Sequence, residues 1–342
     1  MTHLPQLDGL RAVAVMMVMA YHFIPGIDRV APLGAIGVRL FFVLSGFLIT
    51  RILLDARTLP FGQAMRMFYI RRSLRILPLF YAVLLAAAAL DIGPVRQTFF
   101  WHGGYLTNVY LYLRGDWHGS ISHLWSLAVE EQFYMVWPFI VLLAPLHRLP
   151  HLIAAMVCAA PLLRLAIGGA MNSVLPVSCV DALGAGALLA LPQTAAAMAA
   201  IGRSAGPPLL LAGLVGQRML APTIAREVLL DAGVTLAAAW LVHGAAAGFN
   251  GVAGTALRAR PVRYIGTISY GTYVLHGFMP YILGRYVSGF VSMWWPLKAA
   301  VLLTCTLAAA AVSWHVFERR VLAFKDRLAP RDRATAARPL AA

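Results

Sequence analysis

Hydrophobic and polar positions in this 342-residue chain alternate on the scale of whole segments rather than single residues. Apolar runs fall near 12–25, 34–54, 76–92, 124–146, 150–167, 180–193, 207–222, 229–247, 265–284 and 296–317. A helix of roughly 20 apolar residues spans the hydrocarbon of a bilayer. The runs therefore predict an all-α integral membrane protein with about ten transmembrane helices. Several runs are short or carry a polar residue, the pattern of helices packed round a central cavity rather than facing only lipid. The first run has the length of a signal-peptide core, ending at Val18-Met19-Ala20, but Asp8 ahead of it and the many runs after it favour a span. No repeat of 20–50 residues is visible.

Composition supports the same class and adds an orientation. Hydrophobic residues reach 61% and charged residues only 12%, against about 25% charged in a soluble domain. Lys and Arg total 28 against 13 Asp and Glu, a formal charge of +15. In a soluble chain that excess points to nucleic acid. Here 19 of the 28 cations fall on one side if both termini are cytoplasmic. They include Arg51, Arg57, Arg66, Arg71, Arg72 and Arg75 after the second run, and Arg258, Arg260 and Arg263 before the ninth. The positive-inside rule then makes the bilayer the partner, nucleic acid not being expected. Residues 1–320 read as the membrane domain and 321–342 as a basic cytoplasmic tail, disordered toward its end. Cys158, Cys179 and Cys305 lie far apart with no CxxC spacing, so neither a disulfide framework nor a metal site is expected.

Polar residues within the runs are the candidates for chemistry. Leu7-Asp8-Gly9-Leu10-Arg11 opens the first helix, and His22 follows in Tyr21-His22-Phe23. Eleven residues put Arg11 and His22 about 16 Å apart along the axis and within about 20° of one face, so both can line one channel. A lone histidine near a helix end is otherwise a hydrogen-bonded interface residue. In the second helix Ser45-Gly46 suits close helix packing, and no G-x-S-x-G elbow makes Ser45 a nucleophile. Arg72 and Arg75 are spaced i,i+3 and present two forks to one anion, phosphate suiting them best. Positive-inside anchoring alone also accounts for them. The outer loop from about 93 to 123 holds Trp101, Tyr105, Tyr110, Tyr112 and Trp117 with His102, His118 and His123. Such aromatics form a membrane belt or stack on sugars.

After it, Ser126, Glu130, Phe133, Tyr134 and Trp137 share a helical face, and Glu131 points about 100° away. An acid inside a span is a functional candidate because burying it unpaired costs several kcal/mol. Asp181 before Leu183-Gly184-Ala185-Gly186 reads as close helix packing, since no dinucleotide fingerprint surrounds it. Tyr273 and His276 are spaced i,i+3, and His276 either faces the cavity of His22 or bonds a neighbouring helix.

Taken in order, these pieces resemble the membrane-bound acyltransferase-3 family. The matching segments are Leu7-Asp8-Gly9-Leu10-Arg11 with His22, Phe41-Phe42-Val43-Leu44-Ser45-Gly46-Phe47, and Arg71-Arg72-Ser73-Leu74-Arg75-Ile76-Leu77-Pro78. His123-Leu124-Trp125-Ser126-Leu127-Ala128-Val129-Glu130 and Ile268-Ser269-Tyr270-Gly271-Thr272-Tyr273-Val274-Leu275-His276 complete the set. The resemblance covers about residues 5–320. It implies a ten-helix enzyme of the inner (plasma) membrane that moves an acyl group, commonly acetyl, from cytoplasmic acyl-CoA to a hydroxyl of an extracytoplasmic glycan or small molecule. On that resemblance His22, Arg11 and Glu130 are catalytic candidates, with His22 as general base, and Arg72, Arg75 and Arg11 would bind the donor. Ser45, His123, Trp125, Ser126, Tyr134, Tyr273 and His276 would bind substrate. An acyl-histidine intermediate is the competing route. A transporter or flippase for a polar or glycolipid substrate is the alternative function, since it too uses Arg, Glu and His inside spans.

Overall fold

The computed structural model describes residues 3–169, 171–219, 223–324 and 328. The tail expected to be basic and disordered therefore lies, from residue 325 and apart from Leu328, outside the described residues. Among the described residues the chain is all-α. In order the helices are α1 (Pro5–Phe23), α2 (Leu33–Ala56), α3 (Phe61–Ala89), the short α4 (Phe99–Gly103) and α5 (Thr107–Arg114), α6 (Trp125–Leu143) and α7 (Leu149–Ile167). Then come α8 (Val180–Ala190), α9 (Pro192–Met219), α10 (Ile224–Ala247), α11 (Gly251–Arg258), α12 (Arg260–His276), α13 (Met279–Tyr286) and α14 (Trp295–Ser313). A π turn (Trp314–Glu318) leads from α14 into α15 (Arg319–Ala323). Proline stands in the first two positions of α1, α7, α12, α13 and α14. There its fixed φ suits the helix, and its missing N–H costs nothing, since a first-turn N–H has no partner inside the helix.

The expectation of about ten crossing helices is corrected. Seven helices among the described residues are long and apolar enough to cross a membrane. They are α2, α3, α6 with its 3-10 lead-in (Gly119–Leu143), α7, α9, α10 and the continuous stretch Trp295–Ala323. The other three runs became helices of a different kind. The first, α1, carries Gln6, Asp8, Arg11 and His22. The sixth run breaks after 11 residues of α8, where Pro192 starts a new helix. The ninth is 17 residues of α12 and then a turn at Gly277 and Phe278 before α13.

These three helices pack in the interior, α1 against α2 and α12, and α8 against α2. Shielded by neighbours, they have no need of a lipid-facing surface, so polarity along them is tolerated. The most apolar span is also central: 72% of the α2 window is buried against 17% for α7. Internal prolines at Pro78, Pro138, Pro161, Pro207 and Pro208 are carried within the helices.

Two devices hold the centre together. The first is close backbone contact between α2 and α8: a Cβ added at Gly46 would strike the Leu183 carbonyl, and one at Gly186 the Val43 carbonyl. The close packing expected of both glycine segments is found there. The second is a buried ionic network. Arg39 of α2 reaches Asp181 of α8 at 2.9 Å, and Asp231 of α10 at 2.9 Å. It also donates to the Thr235 hydroxyl at 2.7 Å. Arg164 of α7 meets the other oxygen of Asp231 at 2.5 Å. Two arginines and two carboxylates thus tie four helices together with no net charge. Removing one partner from such a network strands a charge in a medium that cannot solvate it. Asp231→Ala should destabilise the protein by about 3–5 kcal/mol, read as a lowered thermal midpoint in detergent. Asp28→Ala at an exposed site should stay within about 0.5 kcal/mol of wild type. Equal midpoints for the two variants would contradict the assignment.

Candidate active site

Inside the bundle lies a cavity of about 1190 Å³ walled by α1, α2, α3, α6 and α12. Its lining runs from Asp55, Thr58 and Leu59 near the α2–α3 connection to Ser126 and Tyr273. Arg11, Ser45, Arg72, Arg75, Ser126, Glu130, Tyr134 and Tyr273 all line it. Helical periodicity explains why α6 contributes Ser126, Glu130 and Tyr134, which lie four residues apart on one face. Glu131 is not part of the lining, as its angular position predicts. Phe133 and Trp137, at the edge of the same stripe, stack on each other at 4.7 Å. The Trp137 indole donates to Thr50 of α2 at 2.8 Å.

The charge balance of the cavity is unusual for a membrane interior. Arg11, Arg72 and Arg75 line it, yet among the described residues no carboxylate lies within ion-pair distance of any of the three. Arg72 lies over the Tyr134 ring at 4.2 Å, a cation–π contact that holds the guanidinium in place. Its Nε is buried without a hydrogen-bond partner. Glu130 faces the hydroxyls of Ser45 and Tyr134, which also bond to each other. Of this pair Gly46 makes the close approach to α8, whereas Ser45 lines the cavity.

Ser126 and Tyr273 bound the lining away from the α2–α3 connection. The Ser126 and Tyr273 hydroxyls bond at 2.5 Å, and the Tyr273 hydroxyl donates to the His123 carbonyl at 3.0 Å. Phe41 lies edge-on to the Tyr273 ring at 6.1 Å.

His22 does not line this cavity, and Arg11 does. Their shared helical face therefore does not by itself bring His22 into the lining that holds Arg11. The 16 Å of axial separation carries His22 past the Tyr273 layer. Beyond that layer three imidazoles gather: His22 to His276 at 4.8 Å between ring centroids, and His276 to His123 at 4.5 Å. Tyr273 touches His276 at 5.3 Å and so joins the cluster to the cavity. The Nδ1–H of His22 donates to the Val18 carbonyl at 2.9 Å. A carbonyl only accepts, so the neutral ring keeps its lone pair on Nε2. His22 is exposed, whereas His276 is fully buried with its Nε2 unpartnered. His123 donates from Nε2 to the Val274 carbonyl at 3.1 Å. Its ring occupies space that a Cβ at Gly277 would need. Trp125 packs edge-on to Phe42 at 6.1 Å and is outside the lining.

The aromatic loop is partly structural. His102 is held between the hydroxyls of Thr98 and Thr107 at 2.9 and 2.8 Å. Burial, with His118 nearby, lowers its pKa to about 4. Arg39, Arg164 and Asp231 were missed as a unit in the sequence. The available signal was Arg39 itself, a charge within an apolar run and so in need of partners. Among the described residues no group of His, Cys, Asp or Glu could hold a metal ion.

The sequence is similar to those of known proteins. The acyltransferase domain of the acyltransferase-3 family matches residues 4–315. The chain belongs to the membrane-bound acyltransferase-3 family. It is 30% identical over 361 aligned positions to the putative peptidoglycan O-acetyltransferase YrhL of Bacillus subtilis, covering 93% of this chain and 55% of that protein. It is 35% identical over 150 positions to the peptidoglycan O-acetyltransferase OatA of Listeria monocytogenes, covering 40% of this chain and 24% of that protein. Putative O-acetyltransferases of Staphylococcus aureus are 31% identical over 157 positions, covering 41% of this chain and 25% of theirs. The chain thus spans about half of YrhL and about a quarter of the others. No solved structure matches it.

The Tyr134 ring is the support of Arg72 in this cavity. Tyr134→Phe should preserve that contact, whereas Tyr134→Leu should forfeit about 0.5–2 kcal/mol. Paired thermal midpoints of the two variants check it, and a Phe variant as unstable as the Leu variant would contradict it.

Proposed function

We propose that the protein transfers an acyl group, acetyl in the first instance, from a coenzyme A thioester to a hydroxyl of an extracytoplasmic glycan. The observation that carries this reading is the set of three guanidiniums in the main cavity with no ion-paired carboxylate. Three guanidiniums with Glu130 near two of them leave positive charge in excess, which is costly inside a membrane protein unless an anionic ligand completes the site. The phosphates of coenzyme A supply that charge, and Arg forks match phosphate geometry. Peptidoglycan is the acceptor class, because the relatives named above that carry a substrate in their names are peptidoglycan O-acetyltransferases.

In this reading both termini and the mouth at the α2–α3 connection face the cytoplasm, where Arg51, Arg57, Arg66 and Arg71 satisfy the positive-inside rule. The donor enters there, its phosphates held by Arg72, Arg75 and Arg11, and its pantetheine arm extends toward Tyr273. The acceptor arrives on the opposite side, where His22 is exposed. The Tyr273 and Phe41 side chains must part for the thioester to meet it. The Nε2 lone pair of His22 removes the hydroxyl proton as the oxygen attacks the thioester carbonyl. The new C–O bond forms, the C–S bond breaks, and the proton passes to the departing sulfur, leaving free coenzyme A. General base catalysis of this kind contributes about 10²–10⁴ in rate. Glu130, beside Ser45 and Tyr134, partly balances Arg72 and Arg11 on the cavity wall along which the arm passes.

Two outcomes test the reading. His22→Ala should keep the wild-type thermal midpoint and lose acyl transfer from labelled acetyl-CoA by at least about a hundredfold. Wild-type turnover in that variant would remove His22 from the mechanism. Arg72→Ala combined with Arg75→Ala should weaken donor binding by at least about tenfold. Unchanged donor affinity would remove the phosphate role of α3. Mass spectrometry of envelope glycans with and without the protein identifies the acceptor through the missing acyl increment.

A further inference from the structure

Arg11, Leu48 and Arg75 line both the main cavity and a second one of about 350 Å³. The three side chains form the partition between two chambers. Arg51 of α2, Thr267 of α12 and Trp314 at the π turn help to line the smaller chamber, along with the start of α1. Its charge is lopsided. Arg11, Arg51 and Arg75 contribute three cations against the one carboxylate in its lining, Asp8, which also accepts from His3 at 2.7 Å. Among the described residues Arg51 also has no ion-paired carboxylate. Trp314 is half-buried and supplies the one large aromatic ring of the lining. The volume lies at the lower end of small-molecule sites, too little for a whole coenzyme A and suited to one nucleoside. An isolated cation, an indole and a small volume together suit a planar base that carries a phosphate.

We infer that this second chamber takes the adenosine 3′-phosphate end of the donor, with Arg51 on the 3′-phosphate and Trp314 against the base. The diphosphate then lies on the Arg11–Arg75 partition, and the pantetheine arm occupies the main cavity. This assignment rests on the reading that the donor is a coenzyme A thioester, and it makes Arg51 the residue that distinguishes coenzyme A from the same molecule lacking the 3′-phosphate. Arg51 acts in recognition and touches no reacting atom.

The test is equilibrium binding of coenzyme A and dephospho-coenzyme A to the full chain in detergent or nanodiscs. Wild type should prefer coenzyme A by about tenfold or more, the worth of one charge-assisted phosphate contact. Arg51→Gln should level the two affinities by weakening coenzyme A alone, and Arg72→Ala should weaken both ligands and keep the preference. Equal affinities in wild type would overturn the inference without any variant. A preference that survives Arg51→Gln, or an equal loss for both ligands in that variant, would overturn it too. If wild type binds neither ligand, the coenzyme A reading itself falls, and the chamber assignment with it.

Discussion

A guanidinium inside a membrane protein must be neutralised, and this structure shows two answers to that constraint. Arg39 and Arg164 share Asp181 and Asp231 in a charge-neutral network that ties α2, α7, α8 and α10. Arg11, Arg72 and Arg75 have no such partners among the described residues, and all three border the main cavity. The first set balances its own charges, so it reads as scaffold. The second is open to a ligand, so it reads as a binding surface for an anion. The proposed donor site follows from that difference, because a neutral ligand would leave the cavity with an excess of positive charge that Glu130 alone does not balance.

The same constraint accounts for the arrangement of the helices. Polar and short helices are affordable only where other helices shield them. α1, α8 and α12 take those inner positions, whereas only 17% of the α7 window, 28% of the α9 window and 17% of the Trp295–Ala323 window is buried. The site then lies at the junction of α1, α2, α3, α6 and α12, each of which contributes polar side chains, from Arg11 alone on α1 to Gln63, Arg71, Arg72 and Arg75 on α3. Close contact through Gly46 and Gly186 and the Arg39 network keep α2 fixed. Its Ser45 can therefore meet Tyr134 across the cavity.

Much of this was legible in the sequence, and the failures share one cause. Periodicity placed Ser126, Glu130 and Tyr134 on one face of α6, and all three line the cavity. The i,i+3 pair Arg72 and Arg75 lines it as well. Periodicity describes the angle around a helix and says nothing of what stands between two levels of it. His22 shares the angular position of Arg11 and still lies beyond Tyr273, a residue of another helix. Pairing across helices was equally hidden. Arg39 reads as an isolated charge until α8 and α10 supply its carboxylates, and His123 meets His276 only because α12 ends where Gly277 leaves room for the ring. The span count failed for the related reason that an apolar run does not announce whether it will face lipid or other helices.

The central claim is that the cationic cavity is built for the phosphates of its donor. Titration of the full chain with acetyl-coenzyme A and with S-acetylpantetheine, which carries the same thioester without phosphate, tests it directly. The account predicts that acetyl-coenzyme A binds at least about a hundredfold more tightly, with the difference shrinking as salt is raised. Equal affinity for the two thioesters would contradict it.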